Sequence, residues 1–432
     1  MTDALRAALL GAALVLPGAA IVAPSAAVAA DCEVTVGVVL ELTGPAGQYG
    51  QAGAKSVEMA LSDINEAGGV EGCTLVTDTR DSQSQGNVAV DQATQLVNVK
   101  GVPVVIGGII SSVSIPVLTS VTGPAGVVQV SPASSSPTLT ALGREGKSGG
   151  KFFRTITSDA LQGTAAAKYA MDQGLTELAI IHVNNDFGVN MMREFSSTYE
   201  ALGGTITSIT PYNENQSSYS AEATAAMNGD PDALYLIAYP VDGATIARAW
   251  ISQGGPQTFL LNDGMNSREF INSVGAQFLG NAYGTSSGTN PTPSTEYFYA
   301  NYEAVSDGFA PDAPAADRSY DAGAIVGLAI AKAAHDGGGT NAVTADTIAA
   351  SIPQVLAEDG TPITAGPEGF TEALAKIKAG EPIRYQGVIG PVSFDEFGDI
   401  TGPFRLWRIV DGEVTTVGEM SADDVAAVKA SL

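Results

Sequence analysis

Short apolar runs alternate with helical stretches along most of this 432-residue chain, and that alternation limits the folds open to it. Val34–Leu40 reads as a strand. Gln51–Ala67 follows with apolar residues at Val57, Leu61 and Ile64, the spacing of one helix face, and stops at Gly68-Gly69. Strand and helix then repeat as Thr74–Thr79, helix Asn87–Asn98, strand Val102–Ile106, a helix around Ile115–Val121 and strand Gly126–Val130. Near-continuous apolar strands of this kind suit a parallel sheet buried on both faces by the intervening helices. The first half is expected to be a doubly wound α/β domain.

The pattern restarts after Phe152-Phe153-Arg154. Helices Leu161–Gln173, Val189–Leu202, Tyr219–Met227 and Gly243–Gln253 alternate with strands Leu178–Val183, Thr205–Ile209, Ala233–Ala238 and Thr258–Leu261. A second α/β domain of the same class follows, and the chain length accommodates two domains of ordinary size. A Gly/Ser/Thr/Pro-rich connector, Gly284–Ser294, leads to helices Thr295–Asp307 and Asp321–Asp336. Near the end, Val392–Phe394, Phe404–Val410 and Val414–Val417 read as antiparallel strands, with Asp411-Gly412 as a hairpin turn.

A formal net charge of −26 and a pI near 4.2 repel nucleic acid and anionic membrane surfaces, so neither is expected as a partner. Residues 1–30 carry Arg6, the apolar run Ala7–Leu16 and an A-x-A site at Ala27–Ala29, the pattern of a cleaved secretory signal. No later apolar run reaches 18 residues, so the mature chain is expected to be exported and soluble. Export changes how the two cysteines read. Cys32 and Cys73 each precede a strand of one βαβ unit, which places both at the same sheet edge, and a disulfide between them is expected.

Ligands of open α/β sheets bind beyond the carboxyl ends of the strands. The loops there are Glu41–Gly50, Gly107–Ser112, Ser131–Pro137, Asn184–Phe187, Tyr239-Pro240 and Asn262–Met265. Ser111 and Ser112 begin a helix after a strand, so hydroxyls and backbone N–H groups converge there and favour a carboxylate. On the neighbouring loop, a hydroxyl of Ser134–Ser136 and the carbonyl of Ala133 can accept from an ammonium, and Asp263 of the second domain supplies the opposite charge. Together these groups suit the head of an α-amino acid. Each serine alone is also explained by helix capping or a tight turn.

The runs GVVLELTGPAGQYGQAGAKSVEMALSDINEAGGVEG, VVIGGIISSVSIPV and VSPASSSPTLTA, followed by AIIHVNNDFGVN, DALYLIAYPVDG and IGPVSFDEFGDITG, resemble the Leu/Ile/Val-binding family of periplasmic solute-binding proteins that serve ABC transporters. The resemblance spans nearly the whole mature chain. It implies two closing lobes, 31–154 with 287–388 and 155–286 with 389–432. It also implies hinges near Arg154–Thr157, Tyr283–Ser287 and Val388–Pro391. Ser111 matches the serine that holds the ligand carboxylate, Ser135 a threonine that touches both carboxylate and ammonium, and Ala133 the carbonyl that accepts from the ammonium. Asp263 falls where many members have glutamate. Tyr49 and Tyr239 match aromatic lining positions, Phe187 replaces a common tyrosine, and Tyr320 resembles a pocket residue. The segment Asp336–Ile383 matches poorly.

Enzymatic readings find little support. Gly284–Gly288 fits G-x-S-x-G around Ser286, yet the nucleophile elbow needs a helix immediately after, and Asn290-Pro-Thr-Pro293 follows instead. Gly143–Ser148 lacks the first glycine and the preceding strand of a phosphate loop. His182 and His335 have no metal-ligand spacing with either cysteine, so no metal or cofactor is expected. The resemblance implies a monomeric, non-enzymatic protein that closes on a zwitterionic amino acid and partners a membrane permease. Ile109 and Ile110, with the aromatics, point to leucine, isoleucine or valine. An amide, urea-like or aromatic-acid ligand, or a signalling role at a membrane receptor, remains compatible with the same scaffold. A secreted serine hydrolase is the remote alternative.

Overall fold

Parallel ladders carry both halves of the chain, as the apolar runs require. A computed structural model describes residues 32–432; the expected signal segment lies outside the described residues. In the first sheet, β1 (Glu33–Leu40), β2 (Thr74–Asp81), β3 (Val104–Gly107), β4 (Val128–Ser131) and β5 (Phe152–Arg154) take the order β2-β1-β3-β4-β5, all parallel. The second sheet holds β6 (Glu177–Val183), β7 (Thr205–Tyr212), β8 (Ala233–Ile237), β9 (Thr258–Leu261), β10 (Asn281–Ser287), β13 (Phe404–Val410) and β14 (Glu413–Met420). Its order is β14-β13-β10-β9-β8-β6-β7. Only its last two strands run antiparallel, joined by the left-handed pair Asp411-Gly412 that a tight hairpin needs.

Central strands are buried along their whole length: Val104–Gly107 and Ala233–Ile237 expose nothing, which is why they read as unbroken apolar runs. Cys32 and Cys73 are joined as a disulfide beside the Glu33↔Thr74 register of β1 and β2. Helix Ala316–Gly337 lies along helix Gly47–Glu66, and Gly323 and Gly327 let the two backbones approach where a Cβ would meet Ala60 and Ile64. Gly284 on β10 faces Trp407 on β13, and a Cβ there would lie 2.2 Å from the indole. Only glycine leaves room for that fully buried ring.

Several expectations need correction. The connector Gly284–Ser294 is not all loop: its first residues complete β10, because they pair with both β9 and β13. Helices begin earlier than their apolar stripes, at Gly47 and at Ala316, since a first turn on a polar loop carries no stripe. Val392–Phe394 forms no strand. The poorly matching segment builds a two-stranded parallel sheet, β11 (Thr361–Ile363) with β12 (Ile383–Tyr385), packed by helix Pro367–Ala379. No helix among the described residues is long and apolar enough to cross a membrane.

Candidate functional site

A cavity of about 130 Å³ lies where the strand ends of the two sheets face each other. Tyr49, Ser111, Ala133 and Ser135 line it from the five-stranded side, and Phe187, Tyr239 and Asp263 from the seven-stranded side. The two sides touch. Tyr49 Oη donates to the carbonyl of Gly264, and Asn190 Nδ2 donates to Ser136 Oγ at 3.1 Å.

Local structure positions each group. Ser111 opens helix Ser111–Val117 directly beyond β3, and its Oγ accepts from the backbone N–H of Ser136 at 3.1 Å. The hydroxyl proton has no acceptor among the described residues. Beneath it sits Glu41, fully buried, whose carboxylate accepts from the N–H groups of Ile109 (3.0 Å) and Ile110 (3.2 Å). Burial pushes the Glu41 carboxyl up to about 7. Those two N–H groups, expected near an anion, thus serve a protein carboxylate. Ser135 Oγ bonds Asp159 Oδ2 at 3.0 Å, and the Ala133 carbonyl accepts no hydrogen bond among the described residues. Both line the cavity with acceptor capacity unused.

Asp263 begins a short 3₁₀ turn beyond β9. Its Oδ1 accepts from Gly264 N at 3.0 Å and Asn262 Nδ2 at 3.2 Å, while Oδ2 has no partner among the described residues. Burial raises the Asp263 carboxyl above its ordinary value, against the pull of those hydrogen bonds and of Arg318. Asp159, completely buried, is likewise raised, first by burial and then by the charge of Asp263. A cation entering this corner offsets both effects. Phe187 and Tyr239 stack at 5.8 Å and 25°, forming an apolar wall.

Three of the sequence-selected residues lie off the cavity. Ser134 Oγ is consumed by Ser114 Oγ (2.7 Å) and the Ile109 carbonyl (3.0 Å), so it braces the two loops against each other. Ser112 sits one helix position past Ser111, where its buried Oγ has no partner. Tyr320 faces the core, its hydroxyl held by Asp63 Oδ2 and by the N–H of Gly366. Residues two apart on a helix point to opposite sides. It is Arg318, two positions earlier, that lines the cavity. Sequence reasoning missed Arg318, Arg405, Asp159 and the bracing role of Glu41. Each is a charged residue beside a strand or helix end, a signal too common to single out without neighbours.

Ser286, the residue of G-x-S-x-G, lies inside β10 and accepts from Arg405 Nε at 3.4 Å. His182 bonds the carbonyl of Val183 and His335 approaches Glu71, so neither serves Ser286. No group of three or more potential metal ligands occurs among the described residues.

A family pattern described as "Periplasmic binding protein" matches residues 33–413. The chain belongs to the periplasmic binding protein family. Among this family's members, a Leu/Ile/Val-binding protein homolog of Brucella melitensis is 25% identical over 391 residues, covering 89% of this chain and 94% of its own length. A chemotactic signal transduction substrate-binding protein, BasB of Halobacterium salinarum, is also 25% identical, over 390 residues, with 89% and 88% covered. In fold, the chain is similar to the leucine-binding protein LivK of Thermotoga maritima. That match has a TM-score of 0.74 at 22% identity and covers 90% of this chain and 99% of that one. The two-lobed α/β architecture is that of this family.

Proposed function

We propose that this protein is the extracytoplasmic solute-binding component of an ABC importer, closing on an α-amino acid between its two lobes. In this reading, residues 31–154 with 287–388 form one lobe and 155–286 with 389–432 the other. The hinges lie near Arg154–Thr157, Tyr283–Ser287 and Val388–Pro391. The observation that carries the proposal is a single cavity lined by Ser111 and Ser135 from one sheet and by Asp263 from the other. Ser111 donates to the ligand carboxylate, while Ser135, the Ala133 carbonyl and Asp263 Oδ2 receive the ammonium. Tyr49, Phe187, Tyr239 and the isoleucines 109 and 110 enclose the side chain. Leucine, isoleucine and valine are the candidates that the Leu/Ile/Val-binding relatives suggest.

The mechanism is a population shift. A ligand bonded to both sides has its second set of contacts only when the lobes meet. Moving the lobes from 1:99 to 99:1 takes about 5.5 kcal/mol of differential binding. A few hydrogen bonds to charged groups, at about 1.5–3 kcal/mol each, supply it. The protein acts as a monomer after export from a cleaved signal segment, and delivers its ligand to a membrane permease. The likeness to BasB favours a second reading in which the closed form signals to a membrane receptor. Thermal-shift screening against amino acids, amides and small carboxylates tests the ligand class, because bound ligand raises the unfolding temperature by mass action. Stabilisation by amides or aromatic acids alone, with none by amino acids, overturns the amino-acid assignment.

A further inference from the structure

The cavity has a second polar end that an aliphatic amino acid leaves unused. Arg318, 5% exposed, and Arg405 both line it. Arg318 stands on the helix packed beside the five-stranded sheet, and Arg405 stands on β13 of the other sheet. A guanidinium carries five N–H donors. Arg318 uses only those of Nη2, on the carbonyls of Ser287 at 2.8 Å and Gly288 at 3.3 Å. Its buried Nη1 makes no hydrogen bond, and the nearest carboxylate oxygen, Asp317 Oδ2, is 3.9 Å away. Arg405 makes one bond, the long one from Nε to Ser286 Oγ.

A buried guanidinium nitrogen without an acceptor is unfavourable, and Arg318 Nη1 is one, while the half-exposed Arg405 brings further donors to the same cavity. Burial draws the Arg405 guanidinium below its ordinary value, opposed by Tyr299 and Asp317, and Arg318 adds like-charge repulsion. This end also opens outward: Tyr299 is 47% exposed and Asp312 is exposed, and both line the cavity. A side chain longer than that of leucine can extend in this direction.

We infer that Arg318 and Arg405 form a second subsite that takes a hydrogen-bond-accepting oxygen, so that the preferred ligand is an amino acid whose side chain ends in a carboxylate or carboxamide. The inference rests on the amino-acid head site proposed above and adds the class of side chain. Asp312 and Asp317 balance the two arginines at this end, so a carboxylate and a neutral carboxamide oxygen both satisfy the idle donors.

Calorimetric titration of the purified protein with L-leucine, L-glutamine and L-glutamate tests this. The expected result is that glutamine or glutamate binds at least tenfold tighter than leucine, their relative order telling carboxamide from carboxylate. Arg405→Gln and Arg318→Gln should each lower that preference at least fivefold. The preference is a ratio within one variant, so a general loss of stability does not mimic the effect. Leucine bound as tightly as both polar ligands, or a ratio unmoved in both variants, overturns the subsite alone. If none of the three binds, the head-group reading falls and the subsite with it.

Discussion

On the five-stranded side of the cleft, the Gly108 carbonyl alone accepts from the hydroxyls of Ser114, Ser131 and Ser134. On the seven-stranded side, Asp263 stands on a single 3₁₀ turn with one oxygen unbonded. The first side is a braced cradle in which Glu41, Gln129 and the serine cluster tie the strand-end loops together, leaving little but the Ser111 proton and the Ala133 carbonyl to face the cavity. The second presents one charge at the end of one strand. A buried polar network with every member paired is rigid. The cradle is therefore built without a ligand, and in the proposed function the ligand supplies what the Asp263 side lacks.

Breaking the cradle should cost stability, and breaking the opposing charge should cost affinity. The largest effect is expected from removing the Cys32–Cys73 disulfide, which closes a span of 41 residues at the cradle's outer edge. Loop closure of that length contributes about 4 kcal/mol. Denaturant unfolding of the Cys32→Ser/Cys73→Ser variant should register a loss of that order with ligand affinity kept within twofold. A collapse of affinity would mean the cradle does not hold its shape by its own network. Next in size, Asp263→Ala should leave the circular dichroism spectrum unchanged and weaken amino-acid binding at least tenfold by calorimetry. Unchanged affinity removes Asp263 from the ammonium site.

Neighbouring serines sharpen the division. Ser134→Ala leaves buried partners unpaired and should lower stability by about 1–2 kcal/mol. Ser135→Ala also leaves buried Asp159 Oδ2 without its hydroxyl partner, but unlike Ser134→Ala it should weaken binding severalfold; affinity lost in Ser134→Ala and kept in Ser135→Ala would exchange their roles. The pH dependence is smaller. Glu41 is held at about 7 against 4.5 for an ordinary glutamate, so between those values the folded protein keeps a proton that the unfolded chain releases. Its contribution is full below pH 4.5 and is lost as pH rises through about 7. Glu41→Gln, which retains an acceptor for Ile109 and Ile110, should flatten the fall in melting temperature across that window. An identical pH profile in the variant would show that Glu41 is already ionised when folded. Smallest of all, Tyr320→Phe should alter affinity by less than twofold, because its hydroxyl is bonded to Asp63 in the core.

How much was readable from sequence depends on the range of the interaction. The central strands, the alternation of helices and the Asp411-Gly412 hairpin were legible because burial on both faces and positive φ leave local marks in residue type. Helix starts at Gly47 and Ala316 were not, since polar first turns lack an apolar stripe. At the site, Ser111 and Asp263 could be singled out by their position just past a strand end. Ser134 and Ser135 are adjacent and chemically identical, and only the packing of two loops sends one hydroxyl into a network and the other toward Asp159.

The sequence by itself determined the parallel ladders of the two sheets, the cysteine pair and the strand-end loops that border the cavity, because periodicity and the ends of buried strands are local properties of the chain. Tertiary structure alone decided which polar atoms remain unused at the cleft: the Ser111 proton, the second oxygen of Asp263 and the idle donors of Arg318 and Arg405. Whether a donor or acceptor is free depends on partners hundreds of residues away, and no local pattern records that.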